Sequence, residues 1–308
     1  MSDSQVQAAR RVGIEVSKTA LVAVCLNEGG VITGTQEFVV DFREPSSQQL
    51  ITFIEGLKTS FGTFEEVGIA VPGLVAHGSK SVAFSAHIPE HSGLDLASKI
   101  ESATGIRAYI ENDANAAVYG EYRLGAGRGS ENLFFATLGA GVGGAFIFDG
   151  QIWRGSAGFA GEFGYIPIKS EGMRLEEVAS SANIIRRTRS RFHQDNTSSL
   201  VDLDETLITI HDIVIAAEAG DDFARLMLER TGTYVGTGVA SVINLLNIEK
   251  IIVGGEVMGT QHIVLDAIIA RARDLSFGPS FASTEILASE LGRHASAAGA
   301  ALLAAESA

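Results

Sequence analysis

Short apolar runs alternate with polar and glycine-rich breaks through the first hundred residues. Val12 to Val16 and Ala20 to Leu26 read as strands on either side of a polar pivot, Ser17-Lys18. Asn27-Glu28-Gly29-Gly30 supplies a hairpin turn into a third strand, Val31 to Val40. Pro45 opens a helical pattern in which Leu50, Ile51, Ile54 and Leu57 recur on one face. Val67 to Val71 is a short buried strand stopped by Pro72-Gly73. Leu94 to Thr104 reads as a helix and Arg107 to Ile110 as a strand. That strand runs into Glu111-Asn112-Asp113 and then an Ala-rich helix, Ala114 to Arg123.

The pattern then starts again. Leu133 to Leu138 and Ala145 to Phe148 are strands around a glycine turn, and Asp149-Gly150 leads into a third, Gln151 to Trp153. Two such openings, each followed by helices and further strands, predict a duplicated α/β lobe. The second half is more helical: Arg174 to Arg191, Ile213 to Glu218 and Asp222 to Leu246. Ile251 to Val253 is a buried strand ending in Gly254-Gly255, followed by helices near Ile263 to Leu275 and His294 to Ala305. The polar stretch His193 to Ser199 reads as a surface loop or insertion.

Composition narrows the partners. A length of 308 residues suits about two domains or one two-lobed unit, and 46% hydrophobic residues against 19% charged indicates a packed chain. The formal net charge of −14 disfavours phosphate backbones and anionic membranes, so neither nucleic acid nor membrane is an expected partner. The densest basic stretch, Arg186, Arg187, Arg189 and Arg191, reads as a solvated helix face. One cysteine, Cys25, excludes an intramolecular disulfide and any multi-cysteine zinc cluster, and its apolar surroundings suit a buried thiol. Met1 to Arg11 lacks the apolar core of a secretory signal, and no apolar run reaches the roughly 18 residues of a membrane span. The expected compartment is the cytoplasm.

Gly139-Ala140-Gly141-Val142-Gly143-Gly144 has the spacing G-x-G-x-x-G, and Glu162 follows at about the distance of a ribose-binding acid. A dinucleotide fold needs a helix after those glycines. Here they lead into Ala145 to Phe148 and a hairpin turn, so the nicotinamide reading fails. The backbone N–H groups of such a loop can still grip phosphate, though the glycines alone would also serve a tight turn.

Several blocks occur in order: Gly13-Ile14-Glu15-Val16-Ser17-Lys18-Thr19, Val71-Pro72-Gly73-Leu74-Val75, Glu111-Asn112-Asp113-Ala114-Asn115-Ala116, the glycine loop, Ala160-Gly161-Glu162-Phe163-Gly164, and Val253-Gly254-Gly255. With Gly292, Ala295 and Gly299-Ala300-Ala301 they resemble the ROK family (repressors, open reading frames, sugar kinases) of the actin-like ATPase superfamily, from about Gly13 to Ala304. The resemblance implies an α/β, two-lobed actin-like ATPase (ribonuclease H-like) fold with sugar and nucleotide in a central cleft. The smaller lobe would comprise residues 1–114 with the C-terminal helix 294–308, and the larger lobe 115–293.

The resemblance assigns Asp113 as general base for the attacking hydroxyl, a role that phosphoryl transfer requires. On the residues alone, Asn112 or Asp113 could equally cap the following helix. Glu162, Asn112 and Glu176 are implied sugar-hydroxyl acceptors, although a helical glutamate such as Glu176 commonly just faces solvent. Gly73, His87 and Tyr165 complete the implied substrate-binding set. Nucleotide contacts are implied for Glu15, Ser17, Lys18, Thr19, Gly139, Ala140, Gly141, Gly254 and Gly255. ATP with Mg²⁺ is the implied cofactor pair, and a homodimer the implied assembly. The family's repressors carry a further N-terminal DNA-binding domain; only twelve residues precede Gly13 here, which argues against that role.

Four positions depart from the family pattern. The first phosphate loop usually reads D-x-G-G-T-K, and here it reads Glu15-Val16-Ser17-Lys18-Thr19-Ala20. Ala140 replaces a threonine. The family's zinc site is absent, with Tyr165 at its histidine position, so no structural zinc is expected. His87 stands where many members have a sugar-contacting asparagine. His87 and His91 also form an H-x-x-x-H pair, but Pro89 lies between them and the segment reads as loop rather than metal site. The expected activity is ATP-dependent phosphorylation of a glucose-like hexose. The rival is a non-catalytic sugar-binding protein whose phosphate loops have decayed.

Overall fold

The computed structural model describes residues 10–75, 81–191 and 197–307. The expectations placed on Met1 to Ala9 and on His193 to Asn196 lie outside the described residues.

The chain divides into two compact units, one of residues 1–128, 152–160 and 294–308, the other of residues 129–151 and 161–293. In the first, β1 (Arg11–Val16), β2 (Ala20–Leu26) and β3 (Ile32–Val39) form an antiparallel meander. Helix α1 (Ser46–Phe61) leads to β4 (Glu66–Val71), a small ribbon of β5 (Leu74–Val75) and β6 (Val82–Phe84), helix α2 (Leu96–Thr104), β7 (Arg107–Asn112) and α3 (Asp113–Leu124). The sheet order is β3-β2-β1-β4-β7, with β4 and β7 parallel to β1.

The second unit repeats this scheme. Strands β8 (Leu133–Leu138), β9 (Val142–Phe148) and β10 (Gln151–Trp153, whose last two residues open the first unit's segment 152–160) precede α4 (Glu176–Ala179), α5 (Ser181–Arg189), α6 (Ile210–Glu218) and α7 (Asp222–Leu246). Then come β11 (Lys250–Gly254), α8 (Gln261–Leu275), α9 (Gly278–Ala282) and β12 (Glu285–Ala288), and α10 (Ala295–Glu306) returns to the first unit. Its sheet order, β10-β9-β8-β11-β12, matches the first strand for strand. The duplication read from the two ββ openings is thus present in the sheets.

Strand alternation explains the layers of the first unit. Val12, Ile14 and Val16 point into one core with Leu50, Ile54 and Leu57 of α1 and Leu96 and Ile100 of α2. Gly13, on the opposite face, meets α10: a Cβ there would lie 1.9 Å from the Ala297 carbonyl oxygen. Alanine therefore fills α10 because larger side chains would hold it off the sheet. The same packing keeps α3 in this unit, since a Cβ at Gly120 would lie 2.5 Å from the Ala295 carbonyl.

Two sequence expectations need correction. The helix expected over Arg174 to Arg191 is two, broken at Ser180, whose backbone is extended at ψ 152°. Ser181 gives its N–H to the Gly139 carbonyl at 2.8 Å, a bond that a continuous helix would have kept inside itself. The arginine stretch is only partly a solvated face. Arg187 is half-buried against the Tyr234 ring and donates to Thr231 Oγ1 at 2.6 Å, and Arg189 donates to the Thr206 and Ile208 carbonyls. No helix among the described residues is long and apolar enough to cross a membrane.

Candidate functional site

In an open α/β sheet, ligands approach the carboxyl ends of the parallel strands. In the first unit those ends belong to β1, β4 and β7, and they carry Ser17 to Thr19, Gly73 and Asn112-Asp113 respectively. In the second they belong to β8 and β11, carrying Gly139 to Gly141 and Gly254-Gly255. These implied site residues thus lie at the strand ends of two sheets of the same order, whereas His87, Glu162, Tyr165 and Glu176 lie on other segments.

The corner between β7 and α3 is the most tightly specified part. Asn112, not Asp113, is the N-cap of α3: its Oδ1 accepts from Asn115 N at 3.0 Å. Its Nδ2 donates to the Gly73 carbonyl at 2.9 Å and to Asp113 Oδ1 at 3.0 Å. Asp113 Oδ1 also accepts from Ala114 N at 2.9 Å. The carboxylate therefore sits at the positive end of a helix, with one oxygen fixed by donors. Gly73 has φ 147°, and a Cβ there would lie 2.4 Å from the Phe84 carbonyl, so only glycine brings this backbone under Asn112.

Beneath the corner lies a group that sequence reasoning left without a role. Glu111 is buried, and its Oε1 accepts from Asn112 N at 2.9 Å and from Asn115 Nδ2 at 3.1 Å. Its Oε2 meets Arg154 Nη2 at 2.5 Å and Tyr109 Oη at 3.5 Å. Burial and the Glu111 carboxylate push the Tyr109 phenol above its ordinary pKa. The signal for Arg154 in sequence is slight, an arginine opening the Gly155 turn.

The first loop closes on its own side chain. Ser17 Oγ accepts from Ala20 N at 3.0 Å and Thr19 N at 3.3 Å, and donates to the Ala20 carbonyl at 2.9 Å. Lys18 and Thr19 are exposed, and Glu15 is half-buried on β1. His87 is exposed on a bend, while His91 is buried with Nε2 3.3 Å from Ser46 Oγ, and burial holds its pKa below the ordinary histidine value. Among the described residues no three His, Cys, Asp or Glu side chains gather as metal ligands.

In the second unit the glycine hairpin is braced by its neighbours. Val142 N donates to Glu176 Oε2 at 2.9 Å, so Glu176 acts on this hairpin. Ser181 Oγ donates to Glu256 Oε1 at 2.5 Å beside it. Gly255, at φ 99°, packs on the end of β8, where a Cβ would lie 2.3 Å from the Leu138 carbonyl. Glu162 keeps solvent access, but the surrounding protein and then the Glu176 carboxylate raise its carboxyl above the ordinary range. Tyr165 is exposed, with the Arg174 guanidinium 4.5 Å from its ring centre.

A profile of the ROK family matches residues 11–307. The chain belongs to the ROK family. Glucokinase from Halalkalibacterium halodurans is 30% identical over 83% of this chain and 83% of its own. A ROK family glucokinase from Streptomyces griseus, in complex with glucose and AMPPNP, superposes with a TM-score of 0.87 at 30% identity, covering 97% of this chain and 100% of that one. Xylose repressor from Bacillus spizizenii is 26% identical over 94% of this chain and 75% of its own. The fold of this ROK protein is the two-lobed actin-like ATPase fold.

Proposed function

We propose that this ROK protein is an ATP-dependent hexose kinase acting on a glucose-like sugar. The observation that carries the reading is Asp113, fixed at the carboxyl end of β7 by Asn112 and seated at the start of α3. Asp113 takes the proton from the attacking sugar hydroxyl as that oxygen bonds to the transferred phosphorus, and ADP leaves with the bridging oxygen. Asn112 and the Gly73 loop serve the neighbouring hydroxyls. Gly139 to Gly141 fit a nucleotide through the backbone amides of their tight turn, and Gly254-Gly255 because a Cβ at either would intrude on its neighbours. Magnesium entering with the nucleotide would neutralise phosphate charge. The same reading carries a cytoplasmic homodimer, which sedimentation and fractionation would test.

A second reading, sugar binding without transfer, is favoured by the first loop, whose Thr19 and Ala20 amides are already taken by Ser17. It fits the relationship to xylose repressors as well. The two separate on one variant. Asp113→Asn preserves shape but not basicity, and turnover should fall by about 10²–10⁴-fold with sugar affinity within a few-fold of wild type. A coupled ADP-release assay across hexoses and N-acetylhexosamines, with calorimetry of the sugar, measures both. A variant that keeps turning over, or a wild type that binds sugar yet releases no ADP with any of them, removes the kinase reading.

A further inference from the structure

The pair Glu111–Arg154 has no place in the proton transfer just described. It is nonetheless the most deeply placed ion pair at the β7–α3 corner, with side-chain exposures of 4% and 17%. Removing two charges from water is costly, and that cost is recovered only where geometry and further hydrogen bonds are good. Both conditions hold. The carboxylate accepts four contacts, from Asn112 N, Asn115 Nδ2, Arg154 and Tyr109, and two of them set the residues that set Asp113.

The chain of contacts is continuous. Arg154 holds Glu111 Oε2; Glu111 Oε1 holds Asn112 N and the Asn115 amide; Asn115 N holds Asn112 Oδ1; Asn112 Nδ2 holds Asp113 Oδ1. An apolar pair would fill the same space more cheaply, but it would leave Asn112 N and Asn115 Nδ2 without this acceptor.

We propose that Arg154 is a positioning residue for Asp113, acting through Glu111 to fix the rotation of the Asn112–Asp113 corner. This rests on the kinase reading, in which Asp113 is the base. Arg154 reaches the corner from the segment 152–160, far along the chain from Asp113 but within the same unit.

Arg154→Met strands a buried carboxylate and risks losing the fold. The decisive variant is therefore the neutral pair, Glu111→Gln with Arg154→Met, beside Arg154→Lys. The neutral pair should keep wild-type thermal stability to within a few degrees and sugar affinity within about threefold. Its kcat should fall roughly ten- to a hundredfold, the size expected for a misplaced reacting group. Arg154→Lys, which retains the charge, should recover part of that loss. Hydrogen exchange at the Asn112 and Asn115 amides should quicken in the neutral pair. A neutral pair with near-wild-type kcat and unchanged exchange overturns the proposal. Should wild type show no turnover, the kinase reading fails separately, and amide exchange alone still decides whether Arg154 orders the corner.

Discussion

Each unit places a turn after the central strand of its sheet, β1 or β8, and the two turns commit their backbone donors differently. In the first unit, Ser17 folds its hydroxyl back on the Thr19 and Ala20 amides, while the Thr19 carbonyl accepts from Val40 N. In the second, Gly139 gives its carbonyl to Ser181 N, Val142 gives its N–H to Glu176, and Gly255 presses on Leu138. The Ala140 and Gly141 amides donate to no other group among the described residues. A loop braced from outside can present its donors to an anion, whereas a loop braced from inside has spent them.

That contrast breaks most readily at Gly255. Its φ of 99° and the 2.3 Å approach to the Leu138 carbonyl exclude a side chain. Gly255→Ala should cost about 1–3 kcal/mol from the backbone conformation alone, with the steric clash in addition. At roughly 2–4 °C per kcal/mol for a protein of this size, thermal unfolding should shift down by several degrees. Nucleotide affinity should fall with it, and sugar affinity at the β7–α3 corner should not. Differential scanning calorimetry with nucleotide and sugar titrations measures all three. An unchanged melting profile would mean that Gly255 is not the floor of the hairpin.

Much of this organisation was legible in the chain. The two hairpin openings gave the duplicated sheets, and α7 was read over the residues it occupies, because its apolar positions keep a helical period for seven turns. The Glu111 to Ala116 block placed Asp113 at a strand end opening a helix. The missed elements were short. Strands β5, β6 and β12 span two to four residues, too few for a period to declare itself. The break at Ser180 was hidden because it is made by a distant carbonyl, that of Gly139. Arg154 was missed for the same reason: its partner lies 43 positions away. The sequence offers Glu176 as a sugar ligand or a solvated residue, and its bond to Val142 N is likewise invisible without the fold.

The second way to sharpen the comparison is to add a donor to the externally braced loop. Ala140 is exposed at the turn of the hairpin, beside its two uncommitted amides. Ala140→Thr supplies a hydroxyl where a phosphate oxygen would lie in the kinase reading. A hydrogen bond to a charged group contributes about 1.5–3 kcal/mol, so ATP affinity should rise up to roughly ten- to a hundredfold, with sugar affinity unchanged. Titration calorimetry decides it. No change in ATP affinity would show that the hairpin does not face the triphosphate.

The smallest effect should come from the self-braced loop. Ser17→Gly removes the hydroxyl that accepts from Thr19 N and Ala20 N, and so returns two donors to the end of β1. The gain is opposed by entropy, since a glycine there makes the turn less ordered by about 0.5–1 kcal/mol and no side chain then closes it. Two recovered amides against that cost predict an ATP affinity raised only about two- to tenfold and a melting temperature lowered by a degree or two. Lys18 beside them is exposed, and its flexible ammonium adds attraction without demanding a fixed geometry. Combining Ser17→Gly with Ala140→Thr separates the loops: effects that add mean each loop meets the nucleotide independently. If Ser17→Gly instead weakens ATP binding, the Ser17 hydroxyl is itself a ligand group, and the first loop is adapted to phosphate rather than closed to it.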